Sequence, residues 1–413
     1  MNLLKINEIE DIVAYAIIPY EILTHQQKVN LLIYFDFDIK KIFNSNIKEI
    51  KSFLRKKDNF NLNPKLYYTQ AKEIIKKKNF LTIDSKYFPF ECWKYEFDQS
   101  IKTSLLNNDG NYAQCLLLPF LLFYEGNPQI LSLPKISIVG TRKPEEISIN
   151  FTYHVVKQLK KVVVSGFANG IDHHAHLASI QNEIPTIAVF GCGVNIIYPK
   201  SNLELYKRFI GKEYLILSEF ADGTIPKKYY FPIRNRIIAA LGDEILCVQA
   251  GEKSGALITT KYAKELNKPI LTFYPIMLNK FEGNKNLFYK QNAKLLYGIN
   301  NRKFYIKNPE ILSDENIPGK DEIEFDPQDI KFEKDKDLYL KINELSTEDL
   351  ELLKTIYLSP FNSLEYYCQF YSKNLQNILA SYQNLLEKNL IVIDRLNRIY
   401  PNYALNAIEI LVK

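Results

Sequence analysis

The middle of this sequence predicts a doubly wound, Rossmann-like α/β fold, and three observations predict it. Between residues 135 and 274, short unbroken apolar runs recur: "ISIVG", "VVVSG", "TIAVFG", "YLILSE", "EILCVQA" and "PILTFY". Between them lie stretches with helical spacing, over 145–160, 171–182, 200–210, 232–241 and 255–267. Runs without polar alternation suit parallel strands buried on both faces, and the helices supply the covering layers. Third, Gly140, Gly166, Gly191 and Gly251 stand where these runs end. In doubly wound sheets, ligands bind outside the carboxyl ends of the strands.

The flanking elements follow from weaker signals. Residues 1 to about 60 read as short helices, with Ile22, Val29, Leu32, Ile33 and Phe35 at mixed helical spacing. "LYYTQAKEIIKKKNFLTID" predicts a helix running into a short strand, and 90–130 reads as irregular, with "NNDGN" as a loop. Residues 301–345 are charged and contain prolines, which predicts a linker. Beyond it, Ser346 and Asp349 have the spacing of a capping box. Helices are expected over 346–357, 363–370 and 373–387, and "NLIVIDRLNRIYPN" as two short strands around a polar turn at Arg395 to Asn397. Three helices and a small hairpin are the order of a winged helix. The expected domains are therefore 1–60 helical, 61–300 extended Rossmann-like, 301–345 linker and 346–413 winged helix.

Composition narrows the class. A chain of 413 residues suggests two or three domains, and 46% apolar residues can bury a sizeable core. Lys plus Arg number 53 against 47 acids, a net charge of +6, which alone says little about nucleic acid. The five cysteines, Cys92, Cys115, Cys192, Cys247 and Cys368, form no C-x-x-C pair, which argues against a disulfide framework or a zinc ribbon. Free thiols suit a reducing compartment. The N-terminal "MNLLKINEIEDIVAYAII" carries acids where a signal peptide needs a basic start. No apolar stretch approaches the roughly 20 residues of a membrane span. The expectation is a cytoplasmic protein with no membrane partner.

Four motifs carry chemistry. In "IVGTRKP", Gly140 ends a strand and Arg142 and Lys143 follow; backbone donors beside cations suit a phosphate, although solvated charges at a strand end fit the local sequence slightly better. "SGFANGIDHHAH" holds three of the five histidines. Ser165, Gly166 and Gly170 there suit a backbone anion cradle at a helix start, but the spacing is not G-x-G-x-x-G. Asp172 and His176 lie one helical turn apart, while His173 and His174 point to different faces. No cysteine pair or H-E-x-x-H joins them, so no metal is expected. "QAGEKSGALITT" fails the spacing of a phosphate-binding P-loop, because Glu252 precedes Lys253; it reads as a turn and a helix start capped by Ser254. "GTIPKKYYFPIRNRIIAALG" interleaves Lys227, Lys228, Arg234 and Arg236 with Tyr229, Tyr230 and Phe231. Cations that meet phosphates beside rings that stack on bases are what single-stranded nucleic acid requires. Pro232 is expected to hold Phe231 extended and to open the next helix.

In this order the motifs resemble the DNA processing protein A family (DprA, also called Smf). The resemblance rests on "VGTR", "SGFANGIDHHAH", "FGCGVNIIYPKSN", "LSEF", "FPIRNRIIAALG" and "AGEKSGALITT", over about residues 120 to 275. It implies a non-catalytic, cofactor-free protein that binds single-stranded DNA. Such proteins help load a RecA-type recombinase during natural transformation and dimerise through the Rossmann-like domain. It further implies a SAM-like N-terminal helical domain and a C-terminal winged helix. By position, the resemblance puts the family's arginine at Arg142, its basic residue at Lys228 and its stacking ring at Phe231. Lys200 is a further candidate backbone contact. Gly140, Lys143, Ser165, Gly166, Gly170, Arg234 and Arg236 complete the expected DNA-facing set. Thr141 stands for the usual serine, and Phe167 and Asn169 for Leu and Arg, which removes one cation.

Two enzyme readings compete. Asp172-His173-His174 spells the start of a DHH-type phosphoesterase or nuclease, which would need further aspartates at strand ends to hold two metals. A nucleotide glycosidase on a similar fold could use Glu219 and Asp172 as its acids. Under the binding reading, Asp172 and His176 serve the helix through structural hydrogen bonds, and His173 and His174 tolerate substitution.

Overall fold

The structure is a computed structural model, and it describes residues 7–56, 60–82, 85–89, 119–211, 213–273, 280–291, 293–300, 303–307, 344–358, 364, 367, 375–388, 390–393 and 399–401. Helices α1 (Ile9–Ala16), α2 (His25–Tyr34), α3 (Ile39–Asn44), α4 (Ile47–Leu54) and α5 (Pro64–Lys77) come first. Strands β1 (Phe80–Thr82), β2 (Leu121–Gly126) and β3 (Lys135–Val139) follow. Alternation then sets in: α6 (Glu146–Leu159), β4 (Val162–Ser165), α7 (Ile171–Gln181), β5 (Thr186–Val189), α8 (Leu203–Phe209), β6 (Tyr214–Ser218), α9 (Tyr230–Leu241), β7 (Glu244–Cys247), α10 (Ala256–Glu265), β8 (Ile270–Thr272) and α11 (Glu282–Gln291). Strands β9 (Lys294–Asn300) and β10 (Lys303–Lys307), helices α12 (Thr347–Leu358) and α13 (Leu375–Glu387), and strands β11 (Ile391–Ile393) and β12 (Ile399–Pro401) end the described chain. The fold is α/β and Rossmann-like.

The chain divides into two compact units. One comprises Met1–Ser137, Lys161–Ile245 and Ile258–Pro269. The other comprises Ile138–Lys160, Leu246–Leu257 and Ile270–Lys413.

In the first unit the strands run β1-β2-β6-β5-β4-β3. β3 through β6 pair in parallel, as the apolar runs require. β2 lies antiparallel to β6, and β1 antiparallel to β2. β2 corrects the irregular reading of 90–130: "LLFYEG" is a strand whose Phe123 pairs with Ser218. It ends at Gly126, at φ +100°, where a Cβ would collide with the Tyr214 carbonyl. Residues 90–118 of that stretch, with "NNDGN", lie outside the described residues. Helices α1 to α5 share one apolar core with the sheet, in which Tyr15 meets Phe43 and Phe120, and Phe167 meets Phe190. Local chemistry sets their starts: Thr24 and Gln27 form a reciprocal capping box on α2, and Asn63 caps α5 ahead of Pro64.

In the second unit, β8 pairs in parallel with β9 and β9 antiparallel with β10, with an irregularity between Tyr305 and Ile306. β10 therefore takes up part of the expected linker; residues 308–343 lie outside the described residues. Buried Asn284 ties this unit's loops together, donating to the Cys247 and Val248 carbonyls and accepting the Ala250 N–H. Ser346 and Asp349 do form a reciprocal capping box, at 3.1 Å each way. α12, α13 and the antiparallel pair β11–β12 gather around Leu352, Ile356, Leu385 and Ile391. Most of the expected 363–370 helix and the turn at 395–397 lie outside the described residues.

Candidate nucleic-acid interface

The turn after β4 is where the sequence places an anion cradle. The structure fills that cradle from within. Asp172, in the first turn of α7, accepts the N–H of Gly166 at 3.1 Å and that of Ala168 at 3.4 Å. Ser165 is fully buried, and Asp172 is 7% exposed. Burial pushes its pKa up, while nearby Arg234 and the donated hydrogen bonds pull it down. The expectation that Ser165 and Gly166 hold a ligand phosphate is thereby corrected, because the donors already serve a carboxylate. Gly170 stays half-buried at φ +80° and starts the helix. A Cβ on Gly166 would lie 2.7 Å from both the Arg234 guanidinium and the Asp172 carboxylate, so only glycine fits.

Arg234 and Arg236 are likewise corrected. They project from α9 into the protein and are 5% and 2% exposed. Arg234 donates to the carbonyls of Gly166 and Val189, tying the ends of β4 and β5 together. Arg236 forms a two-pronged pair with Glu219 and also meets His25 of α2 at 3.3 Å. Two positions apart on a helix, they leave α9 on different faces, and both are buried because α9 is covered on more than one side. Glu219, offered as a glycosidase acid, is held in the same pair.

Phe231 lies in the first turn of α9, which begins at Tyr230, two residues before the expected start. It is helical rather than extended, since Pro232 within a first turn costs no backbone hydrogen bond. Its half-buried ring stands 5.4 Å from that of Tyr198, and the Arg234 guanidinium sits 5.9 Å from its centroid. Gly191, at the end of β5, admits the ring: a Cβ there would lie 2.9 Å from it. Tyr198 is 42% exposed, and Lys200 and Lys228 are exposed. The first unit thus offers a ring pair with an exposed lysine close in sequence to each ring.

Gly140, Arg142 and Lys143 belong to the second unit. Here Gln249 shapes the turn: its carbonyl accepts the Thr141 N–H at 2.7 Å, and its side chain the Glu145 N–H at 2.8 Å. Arg142 and Lys143 are left exposed at the end of β3, and Gly140 is half-buried. Ser254 caps α10 by accepting the Ala256 N–H at 3.3 Å, as expected of the helix start in "QAGEKSGALITT".

The histidines are structural. His176 is buried and shares a 2.7 Å hydrogen bond with Thr186; burial holds its pKa down at about 3. His174 is lowered to about 4, again by burial. His173 is more engaged than the sequence suggests. Its Nδ1 meets the Oδ1 of buried Asn202 at 2.9 Å, and the Asn202 amide donates to the Phe167 and Ala168 carbonyls. Because Asn202 spends its donors on carbonyls, His173 Nδ1 is the donor. Among the described residues, no three of His, Cys, Asp and Glu come together as a metal would need. Cys192 and Cys247 are buried free thiols whose pKa values burial raises to about 11 and about 12. Among the described residues no helix is long and apolar enough to cross a membrane. Sequence reasoning missed Asn202, Gln249 and Glu21. The first two lay inside quoted motifs, but nothing local marks a side chain that bonds to a distant strand end.

Residues 104–304 match the family model described as DNA recombination-mediator protein A. The chain is 38% identical over 180 residues to the DNA processing protein DprA of Streptococcus pneumoniae, covering 43% of this chain and 64% of that protein. It is 37% identical over 183 residues to DprA of Bacillus subtilis, covering 43% and 61%. The chain therefore spans less than two thirds of the length of these curated relatives. Among solved structures it is similar to DNA processing protein A from S. pneumoniae, with a TM-score of 0.49 and 30% identity over 66% of this chain and 90% of that one. It is also similar to DNA processing protein A from Helicobacter pylori, a structure described as showing a single-stranded DNA binding mode, with a TM-score of 0.41 and 31% identity over 44% and 86%. On the family-model match and the identity to these curated relatives, residues 104–304 of the chain belong to the DNA processing protein A (DprA/Smf) family.

Proposed function

We propose that this chain is a single-stranded-DNA-binding recombination mediator that protects incoming strands and helps load a RecA-type recombinase during natural transformation. The observation that carries the reading is the Tyr198–Phe231 ring pair, with exposed Lys200 and Lys228 beside it in sequence. Rings that stack on bases and cations that meet phosphates are the two needs of sequence-tolerant single-strand binding. Arg142 and Lys143 supply further exposed cations at a strand end. Family membership adds the mediator role by kinship. Asp172 supports binding over cutting, since its carboxylate already accepts two backbone N–H groups. In this reading the protein is not an enzyme, acts in the cytoplasm and works as a homodimer through its Rossmann-like domain. The domain boundaries at 60, 300 and 345 and the winged helix belong to the same proposal.

The test is fluorescence anisotropy with a labelled single-stranded oligonucleotide across salt. Binding is expected to weaken steeply as salt rises, because counterions are released from the strand. Metal-dependent degradation of the oligonucleotide would favour the nuclease reading instead.

A further inference from the structure

Lys227 and Lys228 are neighbours in sequence but differ in what holds them. Lys228 is exposed. The Lys227 ammonium instead pairs with Glu21, which lies between α1 and α2 in the same compact unit. The Glu21 carboxylate also accepts the hydroxyl of Tyr229 and, at 3.4 Å, that of Tyr230. Next to it, the ring of Tyr20 stacks on Tyr229 at 5.3 Å and 26° and meets Tyr230 edge-on at 6.4 Å. Two residues of the N-terminal helical segment thus cover one cation and one ring face of "KKYYF". A second ion pair, Lys77 of α5 with Asp222 at 3.3 Å, joins the same loop to the same segment. That pair involves no loop cation.

The Glu21–Lys227 pair is open to water, with side-chain exposures of 42% and 37%. Exposed pairs are weak constraints and are screened by salt. Glu21 is ionised at neutral pH, as a carboxylate ordinarily is, and its hydrogen bonds to Lys227 and Tyr229 hold its pKa lower still, at about 2. It presents to Lys227 what a strand's phosphate would present: an anionic oxygen that also accepts hydroxyl hydrogen bonds.

Resting on the single-strand-binding reading above, we propose that Lys227 is a further phosphate contact, masked by Glu21 acting as an internal phosphate substitute. The N-terminal helices then set how tightly the strand is held, since phosphate must displace Glu21 to gain Lys227. Lys228 and Phe231 stay available throughout.

The experiment compares wild type, Glu21→Gln, Lys227→Ala and the double variant, all full-length. It uses anisotropy of labelled oligothymidine across salt, with thermal melts to confirm folding. Glu21→Gln keeps the size and most hydrogen-bonding capacity of the side chain and removes only its charge. It is expected to bind about threefold more tightly at low salt, with a salt dependence of log K steeper by about 0.7, the value of one added phosphate contact. Lys227→Ala should bind no more tightly than wild type, and the double variant should lose the gain of Glu21→Gln. Glu21→Gln binding no better than wild type would overturn the proposal, as would a gain that survives in the double variant. If the wild type fails to bind at any salt, the single-strand reading itself fails, a result distinct from the first two.

Discussion

The Asp172 carboxylate accepts the Gly166 backbone N–H at 3.1 Å, across the turn from β4 to α7. This contact fills the anion cradle at the helix start with a group of the protein's own. Arg234 lies beside it, and its guanidinium holds the ends of β4 and β5. Asp172→Ala would leave two backbone donors without their acceptor and a buried cation without its nearby counter-charge. Breaking such buried charge arrangements typically costs about 3–5 kcal/mol. Urea denaturation should show a loss of that order for Asp172→Ala, while a loss near zero would mean the carboxylate is dispensable to the turn.

Gly191 sets the position of the Phe231 ring. Gly191→Ala would place a methyl 2.9 Å from that ring and force it aside. Overpacking of this kind costs about 1–3 kcal/mol of stability when the neighbour cannot give, and less when a ring at the surface can swing. The expected signature is a several-fold loss of single-strand affinity with only a modest shift in melting temperature. Unchanged affinity would show that the position of the ring does not matter to the strand.

His173 donates to Asn202, and Asn202 braces the Phe167 and Ala168 carbonyls. The double substitution His173→Ala with His174→Ala should therefore cost stability, by about 1 kcal/mol for the lost hydrogen bond. Single-strand affinity should stay within about twofold of wild type, since neither ring is part of the cation-and-stacking set. Abolished binding in a folded variant would return these histidines to the functional site.

Acid should destabilise the fold early. His176 and His174 are held neutral by burial, with pKa values of about 3 and about 4 against an ordinary 6.5. The unfolded chain binds protons on both below about pH 6.5 while the folded chain does not. Their contribution is thus complete above about 6.5 and is lost as pH falls from there toward 3 to 4. Urea midpoints measured from pH 7 to 5 should fall, and the His176→Gln variant should show a shallower fall. A flat wild-type profile would contradict the burial of these rings.

The alternation of unbroken apolar runs with helical stretches made the parallel sheet of the first unit readable, since burial on both faces leaves a direct mark on composition. β2 was harder to see because its run "LLFYEG" sits among other apolar residues, and only pairing with β6 defines it. Among the candidate DNA-facing residues, Arg142, Lys143, Lys200 and Lys228 are each exposed. Arg234 and Arg236 misled because charge suggests a surface, whereas the carbonyls of β4 and β5 and the Glu219 carboxylate lie at their tips. Glu21 was invisible for the opposite reason. Its partners lie about 200 residues away, and no local pattern reports such a contact.

The central claim is that exposed cations and the Phe231 ring bind a single strand, and side-by-side titration tests it most directly. Wild type, Arg142→Ala, Lys228→Ala and Phe231→Ala would be titrated against one labelled oligonucleotide at several salt concentrations. The two cation variants should bind more weakly and with a salt slope shallower by about 0.7 each. Phe231→Ala should lose about 1–3 kcal/mol of binding free energy with the slope unchanged, because stacking releases no counterions. Arg142→Ala and Lys228→Ala binding as tightly as wild type, with the same salt slope, would contradict the account.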